Sequence, residues 1–381
     1  MFPAGRHDNR FARFAAGFFR RRALAARTRF GNLGGVAALR EPCRRAPVAP
    51  RAVRIQPDLV FHAPNMNPIL PPGRLSRFLL VLLLCAGCTA TPAPHPPRAA
   101  IQPVRVYIVS GQSNAVGYNH VKDYHGGREP FPEELRVQPR VLYWDGVESA
   151  TNRWTTLRTT DAGSFGPEIG LSHDLQAAMP GATIAIVKFA VGGTGIARST
   201  DYDDYIPSLA HFDDHGRNWH PPSDGRDGGL LYAALLRNVR AALAGLEAQG
   251  RRWELCGFVW MQGEHEGGIS PRMAKDYEGL LSGFIGAVRG DLHAPGLPFA
   301  VGEINSHTWA FGDIARRSQA EACRKDPRAV LVPTMDLPRN AGAGGPAHFD
   351  ADGTLALGSR FARALRDLNP TRNGGKVETG K

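Results

Sequence analysis

Five apolar runs of six to eight residues most constrain what this chain can fold into. They lie at 104–109 (VRVYIV), 183–190 (TIAIVKFA), 256–261 (CGFVWM), 298–304 (PFAVGEI) and 329–335 (AVLVPTM). Runs this short and this evenly apolar are strands buried on both faces. Between them lie stretches of helical periodicity at 166–178, 229–249, 271–289, 311–325 and 352–367. The clearest is 229–249, where Leu231, Leu235, Val239, Leu243 and Leu246 recur at spacings of three and four. Strand and helix in alternation need a parallel sheet, because each crossover lays a helix on one of its faces. The expected fold class is α/β, a three-layer α/β/α sandwich with a central parallel sheet. It forms a single domain over residues 103–368, a length suited to one such unit. No internal repeat is visible.

Charge is distributed unevenly along the chain. Residues 1–65 hold 13 Arg against Asp8, Glu41 and Asp58, a net +10 of the whole chain's +11. The high isoelectric point therefore belongs to the leader, and it gives no reason to expect a nucleic-acid partner for the folded part. Residues 66–88 (MNPILPPGRLSRFLLVLLLCAGC) place Arg74 and Arg77 before a short apolar run that closes on small residues. That order reads as a secretory signal, too short for a stable membrane span. It resembles a bacterial lipoprotein signal, with Ala86-Gly87-Cys88 as the end of the lipobox and Cys85 where an aliphatic residue is usual. The resemblance implies lipidation of Cys88, an extracytoplasmic location and membrane attachment only through that anchor. A plain secretory signal with a chance cysteine is the alternative.

The expectation for residues 1–65 is an over-extended reading frame, with translation beginning at Met66, or else a disordered leader. Residues 89–102, rich in Pro and Ala, read as a tether, and 369–381 as a flexible tail. Past the signal, Cys88, Cys256 and Cys323 remain, with no C-x-x-C pair to suggest a metal or redox site. Cys256 lies in an apolar run and is expected as a buried free thiol.

In a parallel sheet, ligands bind at the carboxyl ends of the strands. Three of the runs end in polar, glycine-bearing turns: Gly111-Gln112-Ser113-Asn114, Val191-Gly192-Gly193-Thr194-Gly195 and Gln262-Gly263-Glu264-His265-Glu266. A fourth such segment, GPAHFDADG, precedes the last helical stretch and carries His348. A serine hydroxyl is a weak nucleophile until a base, usually His oriented by a carboxylate, takes its proton. The tetrahedral oxyanion then needs preorganised donors. The four turns supply each part: Ser113 as nucleophile, His348 as base, Glu264 as carboxylate, Gly192 and Gly193 as backbone donors, and Gln262 as a side-chain amide donor. Taken singly, each has a plain structural use, such as Ser113-Asn114 as a helix cap. Their joint placement and order point to catalysis. Ser113 follows the first strand in the context G-Q-S-N-A, which is not the G-x-S-x-G elbow of α/β-hydrolases.

The stretches YIVSGQSNAVGY, SFGPEIGLSHDL, VKFAVGGTGIA, VWMQGEHEG, LPFAVGEIN and AHFDADGTLALGSRFARAL together resemble the SGNH hydrolases. Within them, they are similar to the sialate O-acetylesterase-like domain related to carbohydrate esterase family six. The resemblance runs through nearly all of 103–368. It implies a flavodoxin-like SGNH fold and a carboxylic ester hydrolase that removes O-acetyl groups from carbohydrate through an acyl-enzyme, without a cofactor. It further implies Ser113 as nucleophile, His348 as base, and an oxyanion hole of the Ser113 N–H, the Gly193 N–H and the Gln262 amide. Gln112, Asn114, Gly192, His265 and Glu266 would border the substrate. Many members carry Asp three residues before the catalytic His, where this chain has Gly345. Glu264 is expected to orient His348 instead, ahead of Asp336 and Asp350. The stretch EHEGG lacks the second His of an H-E-x-x-H site, so no metal is expected.

Residues 201–229 form a long polar insertion, and Tyr202, Tyr205, Trp219 and Trp309 are candidates to stack on sugar faces. Acetylxylan, acetylated sialic acid and acetylated cell-wall glycan all remain open as substrates. Two other readings fit the same residues: an SGNH lipase or thioesterase, and a glycan-binding surface lipoprotein without turnover.

Overall fold

The structure is a computed structural model and describes residues 102–146, 153–204, 216–341 and 346–369. The expected leader, the signal segment with Cys88, the tether up to residue 101, Tyr205, Gly345 and the tail beyond 369 lie outside the described residues.

The chain begins with β1 (Val104–Gly111), helix α1 (Ser113–Val116), β2 (Asn119–His120), α2 (Glu133–Arg136), β3 (Val137–Asp145), β4 (Thr155–Arg158) and β5 (Ser164–Phe165). It continues through α3 (Glu168–Ala178), β6 (Ile184–Ala190), α4 (Leu230–Glu247), β7 (Trp253–Met261), α5 (Glu264–Ile269) and α6 (Pro271–Asp291). It ends with β8 (Phe299–Gly302), α7 (Gly312–Lys325), β9 (Ala329–Val332) and α8 (Ala351–Asp367). Seven strands form one sheet in the order β4-β3-β6-β1-β7-β8-β9. Every pairing in it is parallel except β3 with β4, which is antiparallel.

All five apolar runs are strands of this sheet, and the five helical stretches are α3, α4, α6, α7 and α8. The sequence does not predict β3 and β4. In β3 (VQPRVLYWD) polar residues are interleaved, and the register against β4 shifts between Gln138 and Leu142, across Pro139. Proline cannot donate to a ladder, so it breaks the signal of a strand as well as its pairing.

Side chains of β1 alternate between two cores. Val104, Val106 and Ile108 pack with Leu231, Leu235 and Val239 of α4 and with Phe284 and Val288 of α6. Tyr107 and Val109 face the other way, onto Ile169 and Leu175 of α3 and Leu357 and Phe361 of α8. A strand with period two between two helical layers is the three-layer sandwich the alternation requires. Each fully buried Val or Ile contributes about 1.5–3 kcal/mol. Cys256 and Cys323 are buried, and neither forms a disulfide among the described residues. No helix among the described residues is long and apolar enough to cross a membrane.

The topology selects one edge of the sheet. From β1 the chain moves out to β3, returns to β6 beside β1, and then crosses to β7 on the other side of β1. Gly111, at the end of β1, lies in register with Ala190 of β6 and Met261 of β7. Three central strands therefore end level, and their three polar turns start side by side at the switch in strand order.

Candidate active site

Backbone geometry locks these turns together. Gly111 has φ 135°, and a Cβ there would run into the Met261 carbonyl, so only glycine fits. The close approach lets the Gln112 N–H donate to the Met261 carbonyl at 2.9 Å and the Val191 N–H donate to the Gly111 carbonyl at 3.0 Å. Ser113 follows as the first residue of α1, half-buried. A Cβ on Gly192 would stand 3.7 Å from the Ser113 Cβ and 2.5 Å from the Tyr118 hydroxyl, which places the glycine turn beside Ser113. Gly193 has φ 73°. Among the described residues, no hydrogen bond engages the backbone N–H of Ser113 or of Gly193.

His348 sits in the loop that leads into α8, whose start Asp350 caps by accepting from the Gly353 N–H at 2.8 Å. Asn114 fixes this loop. Its Nδ2 donates to the Ala347 carbonyl at 3.1 Å, and its Oδ1 accepts from the Phe349 N–H at 3.3 Å. The two residues flanking His348 are thus pinned to the residue that follows Ser113. The same Nδ2 donates to Glu264 Oε1 at 2.9 Å. The Tyr118 ring stands edge-on to the imidazole, with centroids 5.6 Å apart.

Glu264 is buried, and its Oε2 has no hydrogen-bond partner among the described residues. Burial pushes its carboxyl up to about 7 and the nearby Glu266 carboxylate adds to the rise, against the lowering effect of the Asn114 hydrogen bond and of its own backbone N–H. This corrects one expectation. The sequence suggests that Glu264 orients His348 directly, whereas the carboxylate bonds Asn114, which in turn brackets His348. The α5 backbone directs Glu264 at the amide of Asn114 because β1 and β7 are neighbours. The alternatives are engaged elsewhere. Asp336 pairs with Arg360 at 2.6 and 2.7 Å, which lowers its carboxyl to about 2, and Asp350 is the α8 cap.

Gln262, expected as an oxyanion donor, is engaged by neighbouring turns. Its Nε2 lies 2.6 Å from Glu266 Oε2, 3.1 Å from the Thr194 carbonyl and 3.3 Å from Gln112 Oε1. Its Oε1 accepts from the Tyr277 hydroxyl at 2.7 Å, and the side chain is buried. An amide has two N–H donors, and here three internal acceptors surround them. In this arrangement the Gln262 amide braces the three turns. The same burial removes three residues from the expected substrate border. Gln112 accepts from Gln262 and from the His265 N–H, both at 3.3 Å. Asn114 is used as described above. Glu266 accepts from the Ile196 and Ala197 N–H groups at 2.6 and 3.1 Å as well as from Gln262. Gly192 and His265 are half-buried and remain at the rim.

The aromatic candidates divide. Trp219 is buried, donates to Thr194 Oγ1 at 2.7 Å and packs edge-on between Phe189 and Trp260, so it is a core residue. Tyr202 lies under the Arg272 guanidinium. Trp309 covers Gly268. The residue that sequence reasoning passes over is Tyr118, one residue beyond the GQSNAVG block, with 54% of its surface exposed beside His348. Nothing in a sequence separates an exposed tyrosine from a buried one. A buried ion pair supports the segment that carries it. Lys188 Nζ lies 2.6 Å from Glu168 Oε2 and 2.7 Å from the Val116 carbonyl, and Glu168 Oε1 accepts from the Gly166 N–H at 3.0 Å.

The family described as "Carbohydrate esterase, sialic acid-specific acetylesterase" matches residues 103–367. Among curated proteins, none matches the chain. A solved structure of a protein from Arabidopsis thaliana superposes with a TM-score of 0.52 at 22% identity, covering 70% of this chain and 99% of that one. A carbohydrate acetylesterase from Xanthomonas citri gives 0.46 at 17% identity over 69% of this chain and 56% of its own. NanS gives 0.49 at 18% identity over 70% and 98%.

Proposed function

Because the chain belongs to the sialic acid-specific acetylesterase family of carbohydrate esterases, and so is a carboxylic ester hydrolase acting on acetylated carbohydrate, we propose that it works through an acetyl-enzyme formed on Ser113. The observation that carries this reading is the Asn114 clamp, which holds both neighbours of His348 against the start of α1.

In the proposed cycle, His348 accepts the Ser113 proton as Oγ attacks the acetyl carbonyl. The tetrahedral oxygen gathers negative charge next to the backbone N–H groups of Ser113 and Gly193, which donate to no acceptor among the described residues. Collapse breaks the C–O bond to the sugar, and His348 returns the proton to the leaving oxygen. A water, deprotonated by His348, then releases acetate and restores Ser113. Glu264 and Asn114 keep the imidazole loop in place and touch no reacting atom.

The test is hydrolysis of p-nitrophenyl acetate by the full chain beside its Ser113→Ala form. The expected result is loss of at least ~10³-fold in kcat, in keeping with the loss of a nucleophile. Retained turnover in folded mutant would sink the acetyl-enzyme. We further propose that the protein is exported and held to a membrane through lipidated Cys88. A native protein whose N-terminal peptide starts upstream of residue 60, without lipid on Cys88, would overturn that placement.

A further inference from the structure

We propose that Tyr118 is the specificity-determining platform of this site, an aromatic face on which the pyranose ring of the leaving group rests. The inference depends on the catalytic reading above. In an ester cleavage the leaving alcohol must take its proton from the base, so the sugar oxygen departs next to His348. Whatever surface adjoins His348 on its solvent side is the surface the sugar meets.

Tyr118 has that position. Its ring centroid is 5.6 Å from that of His348, and the two rings are nearly perpendicular at 78°. Its hydroxyl reaches over Gly192, where a Cβ would come within 2.5 Å of it and 3.7 Å from the Ser113 Cβ. The side chain therefore spans from the base to the glycine turn along one edge of the nucleophile, and 54% of it stays exposed. The C–H groups of a pyranose are weakly positive, and the face of a phenol ring is negative, so the two attract.

The platform is held from behind. Gly117 has φ 76°, and a Cβ there would strike the backbone of Phe165 and Gly166. Lys188 fixes the Val116 carbonyl just before it. A rigid aromatic costs little side-chain entropy when a ligand settles on it, because only two torsions need to be held. Glycine at 192 has a matching reason, since any side chain there would push the tyrosine hydroxyl off its seat.

The experiment compares two acetate esters in the full chain. One is the best substrate from a panel of O-acetylated methyl glycosides of xylose, glucose and N-acetylneuraminic acid. The other is ethyl acetate, whose leaving group is too small to reach the ring. In Tyr118→Ala the ratio of kcat/KM on the glycoside to kcat/KM on ethyl acetate should fall tenfold or more, with the loss in KM. Tyr118→Phe, which keeps the ring, should recover most of that ratio. Equal losses on both esters would mean that the ring acts on His348, and would overturn the platform. So would an unchanged ratio, or a Tyr118→Phe protein as impaired as Tyr118→Ala. Wild-type enzyme that cleaves ethyl acetate through Ser113 but none of the glycosides would overturn it as well. Absence of Ser113-dependent cleavage of either ester would instead overturn the catalytic reading. Circular dichroism of each variant confirms the fold.

Discussion

Glu264 and Glu266 stand two residues apart at the start of one short helix, both buried, and they are bonded very differently. Glu266 accepts from two backbone N–H groups that follow the glycine turn and from the Gln262 amide. Glu264 accepts from Asn114, and one of its oxygens has no partner among the described residues. The first carboxylate is a lock between the turns after β6 and β7. The second sits between α1 and the loop that carries His348, with its proton affinity raised by burial. Buried carboxylates that are fully bonded serve structure. One that is left short of donors beside the proposed catalytic pair is where perturbed titration collects.

The largest effect should come from removing the lock. Glu266→Ala strands two buried backbone donors, those of Ile196 and Ala197, at about 1–3 kcal/mol each, which puts the loss of stability above ~2 kcal/mol. Chemical denaturation measures it. A loss below ~1 kcal/mol would mean that the 196–197 backbone finds other acceptors and that Glu266 locks nothing.

Next in size is the clamp. Asn114→Ala releases both neighbours of His348, and misplacement of a catalytic group by about 1 Å costs on the order of 10²-fold in rate. The expected result is a fall in kcat of that order with KM little changed. Near-wild-type kcat would separate Asn114 from catalysis and return the loop's position to α8 alone.

The smallest effect tests how far the two acids differ. The Glu264 carboxyl is raised from 4.5 to about 7 in the fold, so the folded state holds its proton where the unfolded chain has lost it. Between pH 4.5 and 7 the native protein therefore binds more protons than the unfolded one, and stability falls as pH rises. Below that window Glu264 costs nothing, and above it the full cost of a buried charge is present. Glu264→Gln can still accept from Asn114, carries no charge, and should gain about 1–2 kcal/mol over wild type at about pH 8 and almost nothing at about pH 4. Melting curves at the two pH values decide. Equal shifts at both would show that Glu264 is not the titrating group. Turnover of this variant should stay within about tenfold of wild type, since the clamp survives. A loss on the order of 10⁴ would restore Glu264 as the direct orienter of His348.

Much of the fold was legible because burial and periodicity leave marks on a sequence. The five apolar runs became five parallel strands, and Leu231 to Leu246 became the buried stripe of α4. Lys188 shows the limit. It interrupts an apolar run without a visible reason, and the reason is Glu168, 20 residues away and brought to 2.6 Å by the packing of α3 on the sheet. β3 and β4 were illegible for a related cause: near the sheet's edge, polar residues and a proline blur the strand pattern that full burial enforces.

The site divides in the same way. The order of amino acids alone sets which residue types stand in the turns beyond the strands: Ser113, the glycine pair, Glu264 and His348, the set from which the proposed acyl transfer is built. It could not say which side of a turn each side chain takes. Packing in three dimensions settles that Gln262 and Glu266 face inward to brace the turns, that Trp219 is core, and that Tyr118 stands exposed beside His348. An amide, a carboxylate or an aromatic ring serves equally well as a brace or as a contact for substrate. Which one it becomes depends on the donors, acceptors and open space that distant segments bring to it, and the register of β6, β1 and β7 sets that arrangement.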